Sequence, residues 1–390
     1  MGRRSAAVLD VRSADVTVVV GQRGVNNTFV IQGMYTQPYK GYADAEFFDT
    51  QDLQEAVFAA LDEASAEAGV RIRELYVGVP GEFLSVRTQR CFMRFENKRK
   101  IVRADVKVLY ESEPKENFGD AAVIRKEAAY YVLSDRRRAF DPVGMVSNSL
   151  EGQFCYFLAD NRFIDCMDNF LAEYGIRRRE YLPSSQAQAL YLLPRSARMA
   201  GAILWDVDKI SMTFSVLEGE GVVWQQACSA GGGHVTAQAY FEEPTAQDVP
   251  FSVMEALIGK INLASMDDAG VTVEYTDRRA SYAVSVGFLK GCVQDGLDVL
   301  CDLFGQFFEL SGDPGLYYRP IYLTGGGITE IRGVREYLSM RLGRVVDILA
   351  PQVPSYEKAA QSSVLSLLDM ALHRRREKSF LYKLFHGIGG

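Results

Sequence analysis

The chain has 390 residues, of which 48% are hydrophobic and 24% charged, and its formal net charge at pH 7 is −7. This composition is typical of a soluble globular protein with two or more domains, and the acidic balance does not favour a nucleic-acid partner. No apolar run reaches about 18 residues, the length that a membrane-spanning helix needs. The N-terminal segment reaches Asp10 without the uninterrupted apolar stretch of a signal peptide.

Cysteine and histidine usage argues against metal clusters and disulfide frameworks. None of the cysteines forms a CxxC pair, and only three histidines occur. In a chain of this length we expect reduced, buried thiols and a cytoplasmic location. The cysteines are Cys91, Cys155, Cys166, Cys228, Cys292 and Cys301.

One sequence pattern occurs twice. Residues 7–20 (AVLDVRSADVTVVV) and 202–216 (AILWDVDKISMTFSV) each contain an apolar strand, an aspartate followed by valine, a small polar turn and a second strand. Asp10 and Asp206 occupy equivalent places. Because the two copies divide the chain almost equally, we predict a duplicated fold.

Strands and helices alternate around these hairpins, which predicts a partly parallel sheet covered on both faces. Residues 83–165 differ: strand-like pieces enclose a charged middle, which indicates a compact subdomain inserted into the first half. The pattern predicts helices over 51–68 (ending at Gly69), 166–180, 284–310 and 333–343, and strands over 74–81, 320–328 and 345–349.

The turns after the two aspartates are candidates for phosphate binding. Such turns need glycine or small residues, because backbone N–H groups must approach phosphate oxygens closely. The aspartate would hold a metal ion, usually through water. The TGGG turn at 324–327 fits the complementary role of packing against a base or ribose, although glycines that serve only as tight turns are an equally open explanation.

The joint order of these motifs resembles the actin/Hsp70/sugar-kinase superfamily and, within it, the FtsA family of actin-like bacterial cell-division proteins. The resemblance covers nearly the whole chain. It is carried by YVGVPG (76–81), FDPVGM (140–145), EGQFCYFLAD (151–160), DNFLAEYGIRRREYLPSSQAQAL (168–190), GGGHVT (231–236), YLTGGGI (322–328) and PSYEKAAQSSVLSLL (354–368).

The resemblance implies an α/β, actin-like (duplicated RNase H-like) ATPase fold with an inserted FtsA-type 1C subdomain. The implied boundaries are 1–82 and 166–200 for subdomain 1A, 83–165 for 1C, 201–236 and 286–372 for 2A, 237–285 for 2B, and 373–390 for a basic amphipathic C-terminal membrane-targeting helix.

It also implies a nucleotide site for ATP and Mg²⁺, in which Asp10 and Asp206 would hold the metal through water. The implied nucleotide-binding residues are Asp10, Ser13, Asp206, Ser211, Gly231, Gly232, Glu255, Lys260, Thr324, Gly325, Gly326 and Gly327.

The phosphate loops depart from the family pattern. Asp15 stands where the family's DIGTSK has lysine, and residues 208–210 (Asp-Lys-Ile) replace the glycine trio of DIGGGTTD. The family's GGDH becomes GGGH at 231–234. Carboxylates beside a polyphosphate cost roughly several kcal/mol when desolvated. We therefore expect weakened or lost hydrolysis, assign no catalytic residue, and expect His234 to be a structural hydrogen-bonding residue.

The last segment, 374–390 (RRREKSFLYKLFHGIGG), is strongly basic. On a helical wheel its apolar residues fall on one face, with Ser379, Tyr382, Lys383 and His386 opposite, which is typical of a helix in an anionic lipid interface. Docking on the protein's own surface or on a partner is the alternative. The predicted membrane-binding residues are Arg374, Arg375, Arg376, Lys378, Phe380, Leu381, Leu384, Phe385 and Ile388.

Together these features predict a filament-forming scaffold at the division septum that tethers a tubulin-like FtsZ polymer to the membrane. The protein would be cytoplasmic and peripheral on the inner face of the cell membrane, with other division proteins bound through 1C. An active ATPase or small-molecule kinase of the same fold, and a pilus-assembly (PilM-like) protein, are the alternatives.

Overall fold

The computed structural model describes residues 5–24, 28–112, 118–119, 121–242, 249–266, 270–276 and 280–386, with only the backbone from residue 376 onward. Contacts divide the chain into two compact units. The first contains the described residues up to Ala202, Ser215–Gln226, and those from Ser363 onward. The second contains Ile203–Phe214 and Ala227–Ser362.

A five-stranded sheet is the centre of the first unit. In chain order the elements of this half are β1 (Ser5–Val11), β2 (Asp15–Arg23), β3 (Phe29–Pro38), β4 (Tyr42–Ala43), β5 (Glu46–Phe47), α1 (Thr50–Ala68), β6 (Glu74–Val79), β7 (Leu84–Lys100), α2 (Arg103–Tyr110), β8 (Ala122–Leu133), β9 (Arg138–Ala139), β10 (Val146–Ala159), α3 (Asn161–Tyr174), β11 (Arg178–Pro183), α4 (Ser184–Leu192) and α5 (Arg195–Ala200).

The sheet has the order β3-β2-β1-β6-β11. β1, β2 and β3 pair antiparallel, whereas β6 and β11 continue the sheet parallel to β1. β1 is buried along its whole length, as expected for a central strand covered on both faces. The aspartate that ends it is therefore held on a rigid element.

Helix α1 is confirmed at 50–68. The Asp49 side chain accepts from the Asp52 amide at its start, and Gly69 closes it in the left-handed conformation. The helix predicted over 166–180 is wrong in its bounds. It begins after the N-cap Asp160 and ends at Tyr174, because left-handed Gly175 stops it; β11 follows.

The stretch between β6 and α3 folds as an antiparallel sheet with the order β7-β10-β8-β9. One face carries a hydrophobic cluster built on Leu150, Phe154 and Tyr131, and Ile101 at the start of α2 joins it. β8 was not predicted, since its charged residues belong to the middle of the inserted stretch. The subdomain boundaries given above stay a prediction.

The second half repeats the sheet order of the first. Its sheet has the order β14-β13-β12-β17-β18. The first three strands of this half lie side by side in reverse order, as in the first sheet, and two later strands extend the sheet parallel to β12. The elements are β12 (Ala202–Val207), β13 (Met212–Glu218), β14 (Gly221–Cys228), α6 (Gly232–Glu242), α7 (Phe251–Ile258), β15 (Thr272–Thr276), β16 (Ser281–Ser285), α8 (Val286–Ser311), β17 (Ile321–Thr324), α9 (Val334–Leu342), β18 (Val346–Ile348) and α10 (Ser362–His386).

Aromatic side chains fill the core of the second unit. The Trp205 ring lies 4.8 Å and the Phe214 ring 4.9 Å from Phe304 on α8, measured between ring centroids. Trp205 and Phe214 are fully buried. The helices and strands predicted over 284–310, 320–328, 333–343 and 345–349 are confirmed as α8, β17, α9 and β18.

The C-terminal helix is one continuous element. The sequence interpretation starts a separate helix at residue 373, whereas α10 begins at Ser362 and runs to His386. No glycine or proline interrupts the segment, so nothing in it stops the helix. Its first turns, including Leu365, Leu367 and Leu368, are buried in the first unit.

All six cysteines are free thiols, and four of them are buried. Burial raises the pKa of the Cys166 thiol to about 11 and that of Cys301 to about 12, and it raises the pKa of Cys155 further. A thiol with a raised pKa is mostly protonated at neutral pH and is a poor nucleophile.

Arg198 and Arg195 both pair with Glu220, and substituting each of them tests how buried and exposed ion pairs stabilise the first unit. Arg198 is 5% exposed, and its guanidinium donates to the carbonyl oxygens of Leu193 and Gly219 and to the Glu220 carboxylate. Arg198→Ala leaves these acceptors without their donor, so we expect the free energy of unfolding to fall by about 3–5 kcal/mol. Urea unfolding followed by circular dichroism measures it.

Arg195 is the matched control. It pairs with the same Glu220 at 3.2 Å, but its side chain is 64% exposed. Arg195→Ala should cost less than about 1 kcal/mol, since exposed ion pairs contribute little. Equal losses in the two variants would contradict the structural role given to Arg198.

Candidate functional site

Asp10, the first predicted nucleotide-site aspartate, lies near the end of β1. Its Oδ1 accepts a hydrogen bond from the Ser363 hydroxyl at 2.9 Å, and the two residues are 3% and 1% exposed. A buried carboxyl group needs hydrogen-bond partners to offset its desolvation, and Ser363 supplies one. The start of α10 therefore holds the first aspartate in place.

The turn after Asp10 is held by hydrogen bonds within the turn and from Tyr39. The Arg12 amide donates to the Asp15 carbonyl oxygen at 2.9 Å and closes the turn. The Tyr39 hydroxyl donates to the Arg12 carbonyl oxygen at 2.6 Å, and the Tyr39 amide donates to the carbonyl of Ala14. Ser13, a predicted nucleotide ligand, is 3% exposed within this turn. The turn has a fixed backbone without any glycine.

The equivalent turn in the second unit closes on itself. Asp206 ends β12, and the Asp208 amide donates to the Ser211 carbonyl oxygen at 2.8 Å. Asp208 and Ser211 are buried, at 8% and 4% exposure, whereas Lys209 is exposed. The residues that replace the glycine trio thus form a tight turn with a carboxylate inside it.

Glycine amides from the TGGG turn and from the first turn of α6 donate to the carbonyl oxygens of this turn. These amides are the kind of donor that a phosphate group would need, and the turn already uses them. The hydrogen bonds run from Gly327 to Val207 (2.8 Å), from Gly232 to Asp208 (2.9 Å) and from Gly233 to Lys209 (2.7 Å).

Space around the glycines is too small for any other residue. A Cβ on Gly232 would lie 2.0 Å from the Gly327 carbonyl oxygen, and a Cβ on Gly327 or Gly231 would lie 2.2 Å from that of Asp208. Real Cβ contacts are never this short, and backbone atoms cannot move aside as a flexible side chain can. Close backbone packing therefore accounts for these glycines without a ligand.

The TGGG turn contacts the second aspartate. Gly325 has φ +92°, and a Cβ there would lie 2.4 Å from the Asp206 Oδ1. The Thr324 side chain is fully buried and within hydrogen-bond distance of the Leu349 carbonyl (3.0 Å) and the Ser362 hydroxyl (2.8 Å). Gly326 packs beside Ala360. The Thr324 side chain is therefore part of the core of this unit, and the lack of a Cβ on Gly325 leaves space for the Asp206 carboxylate.

His234 has the hydrogen-bonding role expected from the sequence. Its Nδ1 accepts from the Gly231 amide at 3.1 Å, and its own amide donates to the Gly231 carbonyl. An accepting Nδ1 fixes the ring as the tautomer with its proton on Nε2 when the ring is neutral. The histidine therefore caps the start of α6.

Lys260 and Glu255, two further predicted nucleotide ligands, belong to α7 and the turn after it. The Lys260 ammonium donates to the Glu274 carbonyl and lies 5.4 Å from the centroid of the Tyr275 ring. Glu255 is partly buried on α7. The lysine thus contacts the β15–β16 hairpin, and the assignment of Lys260 and Glu255 to a nucleotide stays a prediction. Spacing in sequence could not reveal the contact with the hairpin.

Within the described residues, no group of three or more histidine, cysteine, aspartate or glutamate side chains is arranged to hold a metal ion. The two predicted Mg²⁺ ligands, Asp10 and Asp206, lie in different units. Their assignment to the metal stays a prediction.

The predicted membrane residues fall into two groups. Arg374 Nε lies 3.4 Å from the Glu180 carboxylate, and Arg375 lies 3.7 Å from that of Glu74 and donates to the Ser5 carbonyl. These two arginines therefore contact the first unit's own sheet. The side chains of Arg376, Lys378, Phe380, Leu381, Leu384 and Phe385, and all of Ile388, lie outside the described residues.

Two features of the site were missed from the sequence. Ser363 and Tyr39 hold the first aspartate and its turn, but both are remote from Asp10 in the chain. The serine pair 362–363 before the mainly apolar residues 364–368 signals the start of a helix, but it does not predict the contact of Ser363 with Asp10.

Among the described residues, no helix is long and apolar enough to cross a membrane.

The chain is similar in sequence to known FtsA proteins. No protein-family model matches the chain. It is 23% identical over 230 residues to the cell division protein FtsA of Streptococcus pneumoniae D39, covering 58% of this chain and 50% of that protein. It is 21% identical over 345 residues to FtsA of Pseudomonas aeruginosa PAO1, covering 86% and 82%. The chain thus spans half the length of the pneumococcal relative and most of the Pseudomonas one.

Solved structures resemble the chain over almost its full length. A chain of the PilM–PilN type IV pilus biogenesis complex matches with TM-score 0.59 and 14% identity, covering 96% of this chain and 99% of that one. MreB5 of Spiroplasma citri bound to AMPPNP matches with TM-score 0.56 and 11% identity, covering 100% of both. At such low identity these matches establish the fold, and the predicted actin-like α/β fold is confirmed.

The duplicated sheets, the two equivalent aspartate turns and these likenesses define the class of the protein by its fold, which is actin-like. Within that class the chain is FtsA-like, since its matches to the FtsA proteins confirm the resemblance found in the sequence.

The backbone packing of the second unit makes a direct prediction. Gly232→Ala puts a Cβ against a carbonyl oxygen that cannot move, so we expect a loss of about 1–3 kcal/mol in stability and a lower melting temperature. Gly291→Ala on α8, where a Cβ meets no atom within 4 Å, should leave stability unchanged or raise it by up to about 1 kcal/mol. Scanning calorimetry of both variants measures this, and equal melting temperatures would refute the packing role.

Proposed function

We propose that the protein is an actin-like scaffold of bacterial cell division that tethers a tubulin-like FtsZ polymer to the cytoplasmic face of the membrane, with weakened or lost ATP hydrolysis. One observation carries the proposal: the chain is similar to FtsA over 345 residues, while its second phosphate turn is closed by the protein's own backbone. A protein that keeps the fold but uses these glycine amides for its own backbone contacts is better suited to assembly than to turnover.

The charge of the turns supports weakened nucleotide binding. Asp208 is buried inside the second turn, and Asp15 begins the strand that follows the first turn. A triphosphate beside either carboxylate meets like charge, and each desolvated carboxylate raises the cost. Arg12 and Lys209 are the cations of these turns that could offset it. When bound, Mg²⁺ would supply charge neutralisation, and Asp10 and Asp206 are the carboxylates that would hold it through water.

Calorimetric titration with ATP and Mg²⁺ tests this part. We expect the unmodified chain to bind weakly and to show no measurable turnover. Replacing Asp208, Lys209 and Ile210 together by glycine removes the buried carboxylate and should raise affinity at least about tenfold, or 1.4 kcal/mol. Micromolar binding with steady hydrolysis by the unmodified chain would favour the active ATPase instead.

The membrane part of the proposal rests on α10. Arg23 pairs with Asp369 at 2.6 Å, and the hydrogen bond that the His373 ring donates to the Asp369 carboxylate raises the pKa of His373 above its ordinary value. With Arg374 and Arg375 on the sheet, the helix is anchored in the first unit up to residue 375. The amphipathic sequence that would enter a lipid interface is therefore the part beyond Arg375, with Arg376, Lys378 and Lys383 as its lysine and arginine residues.

Sedimentation with vesicles that contain phosphatidylserine tests the tail. A chain that ends at Arg375 keeps the anchoring arginines and should lose vesicle binding. The double substitution Leu381→Asp and Leu384→Asp, on the predicted apolar face, should abolish pelleting, because buried carboxylates are costly in a lipid interface.

The matched control places the same two charges on the opposite face, as Ser379→Asp and Tyr382→Asp. This variant should retain most of its vesicle binding. Equal pelleting of the full chain and of the chain ending at Arg375 would exclude the tail as the membrane contact.

The partners follow from the same proposal. They are an FtsZ-like tubulin homologue, further copies of the chain in a filament, the anionic inner face of the membrane, and other division proteins at the inserted subdomain over 83–165. Co-sedimentation with FtsZ filaments of the same organism tests the first of them. The likeness to the PilM chain supports a pilus-assembly role as the second candidate, and binding to a pilus-assembly peptide but not to FtsZ would favour it.

A further inference from the structure

Strand β7 forms an edge of the inserted sheet. It is 17 residues long and pairs with β10 along one side from Leu84 to Arg94 and again at Arg99 and Lys100, with a shift of register between the two runs. In the part of the chain that the structure describes, no strand pairs with its other side. An edge of this length presents a row of backbone N–H and C=O groups that can pair with another strand.

The strand is strongly basic in an acidic protein. Its only carboxylate is Glu96. Arg90 contacts Glu151 at 3.7 Å yet keeps 72% of its side chain exposed, and Arg99 is committed to Asp105 at 2.8 Å. The remaining cations are exposed. The basic residues of β7 are Arg87, Arg90, Arg94, Lys98, Arg99 and Lys100.

Phe92 lies between two of these cations on the face away from the hydrophobic cluster. Cys91 belongs to that cluster, and Met93 and Phe95 pack against it. Since side chains alternate along a strand, Arg90, Phe92 and Arg94 share the opposite face. The Phe92 side chain is 63% exposed. Cations alone would guard an edge against self-pairing, but such a guard has no need for an exposed aromatic ring.

A second copy of the chain does not fit this edge. Two β7 strands paired edge to edge would place cations opposite cations, and like charges directly opposite destabilise a sheet. The outer strands of the two five-stranded sheets, β3, β11, β14 and β18, offer no row of alternating carboxylates. Charge complementarity therefore favours an acidic strand from another protein.

We propose that the edge of β7 between Arg87 and Arg94 binds an extended acidic segment of a partner protein as an additional strand. Backbone hydrogen bonds supply affinity that is independent of sequence, and Arg90 and Arg94 select carboxylates. Phe92 packs against an apolar side chain of the segment, placed between its acidic residues. The inference does not depend on the tethering role, because it uses only the inserted sheet.

Fluorescence anisotropy with the full chain and two labelled peptides tests it. The first peptide is Glu-Val-Glu-Leu-Glu-Val-Glu-Val, and the second has lysine in place of each glutamate. We expect only the acidic peptide to bind, more weakly as salt increases. Arg94→Glu should weaken binding at least about tenfold, since it puts a like charge opposite the peptide, and Phe92→Ala should weaken it about threefold.

Lys107→Glu is the matched control. Lys107 lies on α2 of the same subdomain, is 71% exposed, and undergoes the same change of charge away from the edge. This variant should bind the acidic peptide as the unmodified chain does. Circular dichroism establishes that the variants keep their fold.

Hydrogen exchange separates strand addition from loose electrostatic contact. The acidic peptide should slow the exchange of amides in Arg87–Arg94, whereas protection elsewhere would overturn the proposal. Equal binding of the two peptides, or no binding of the acidic one, would also overturn it. Binding of phosphatidylserine vesicles that Arg94→Glu abolishes, without peptide binding, would identify the edge as a lipid contact and likewise exclude strand addition.

Discussion

The carbonyl oxygen of Asp208 accepts a hydrogen bond from the Gly232 amide and lies where a Cβ of Gly327 would have to be. The turn at Asp208, the first turn of α6 and the TGGG turn meet there through backbone atoms alone. Backbone contacts at van der Waals distance leave no freedom for the loops to separate without losing hydrogen bonds that are buried. The second half of the candidate site is therefore set by close packing, and its chemistry follows from that packing.

The two halves keep the same topology but hold their aspartates differently. Asp10 is held by a side-chain hydroxyl from α10, whereas Asp206 lies against Gly325 in a turn with φ +92°. A hydroxyl can reorient to meet a ligand, whereas the backbone of Gly325 approaches the Asp206 carboxylate so closely that no Cβ would fit between them. Duplication thus preserved the sheet order while the local chemistry around the two aspartates diverged.

Much of the fold could be predicted from the sequence because hydrophobic periodicity and end signals are local. The helix over 50–68 is flanked directly by its N-cap Asp49 and its closing Gly69, and it was placed correctly. The helix at 161–174 was misplaced because its N-cap, Asp160, follows directly on a buried strand without a visible break. Ser363 and Tyr39 could not be predicted as supports of Asp10, since pairing across hundreds of residues, or across a sheet, leaves no trace in one sequence.

The continuity of α10 has a mechanical consequence. From Arg375, where the helix is still bound to the first unit's sheet, to His386 the chain rises as helix by about 16 Å. A helix is stiff over such a length, so whatever holds its far end fixes both the distance and the orientation of the first unit. An attachment of this kind acts as a rigid spacer rather than as a flexible linker. Copies fixed to one surface would then share a common tilt before they touched one another.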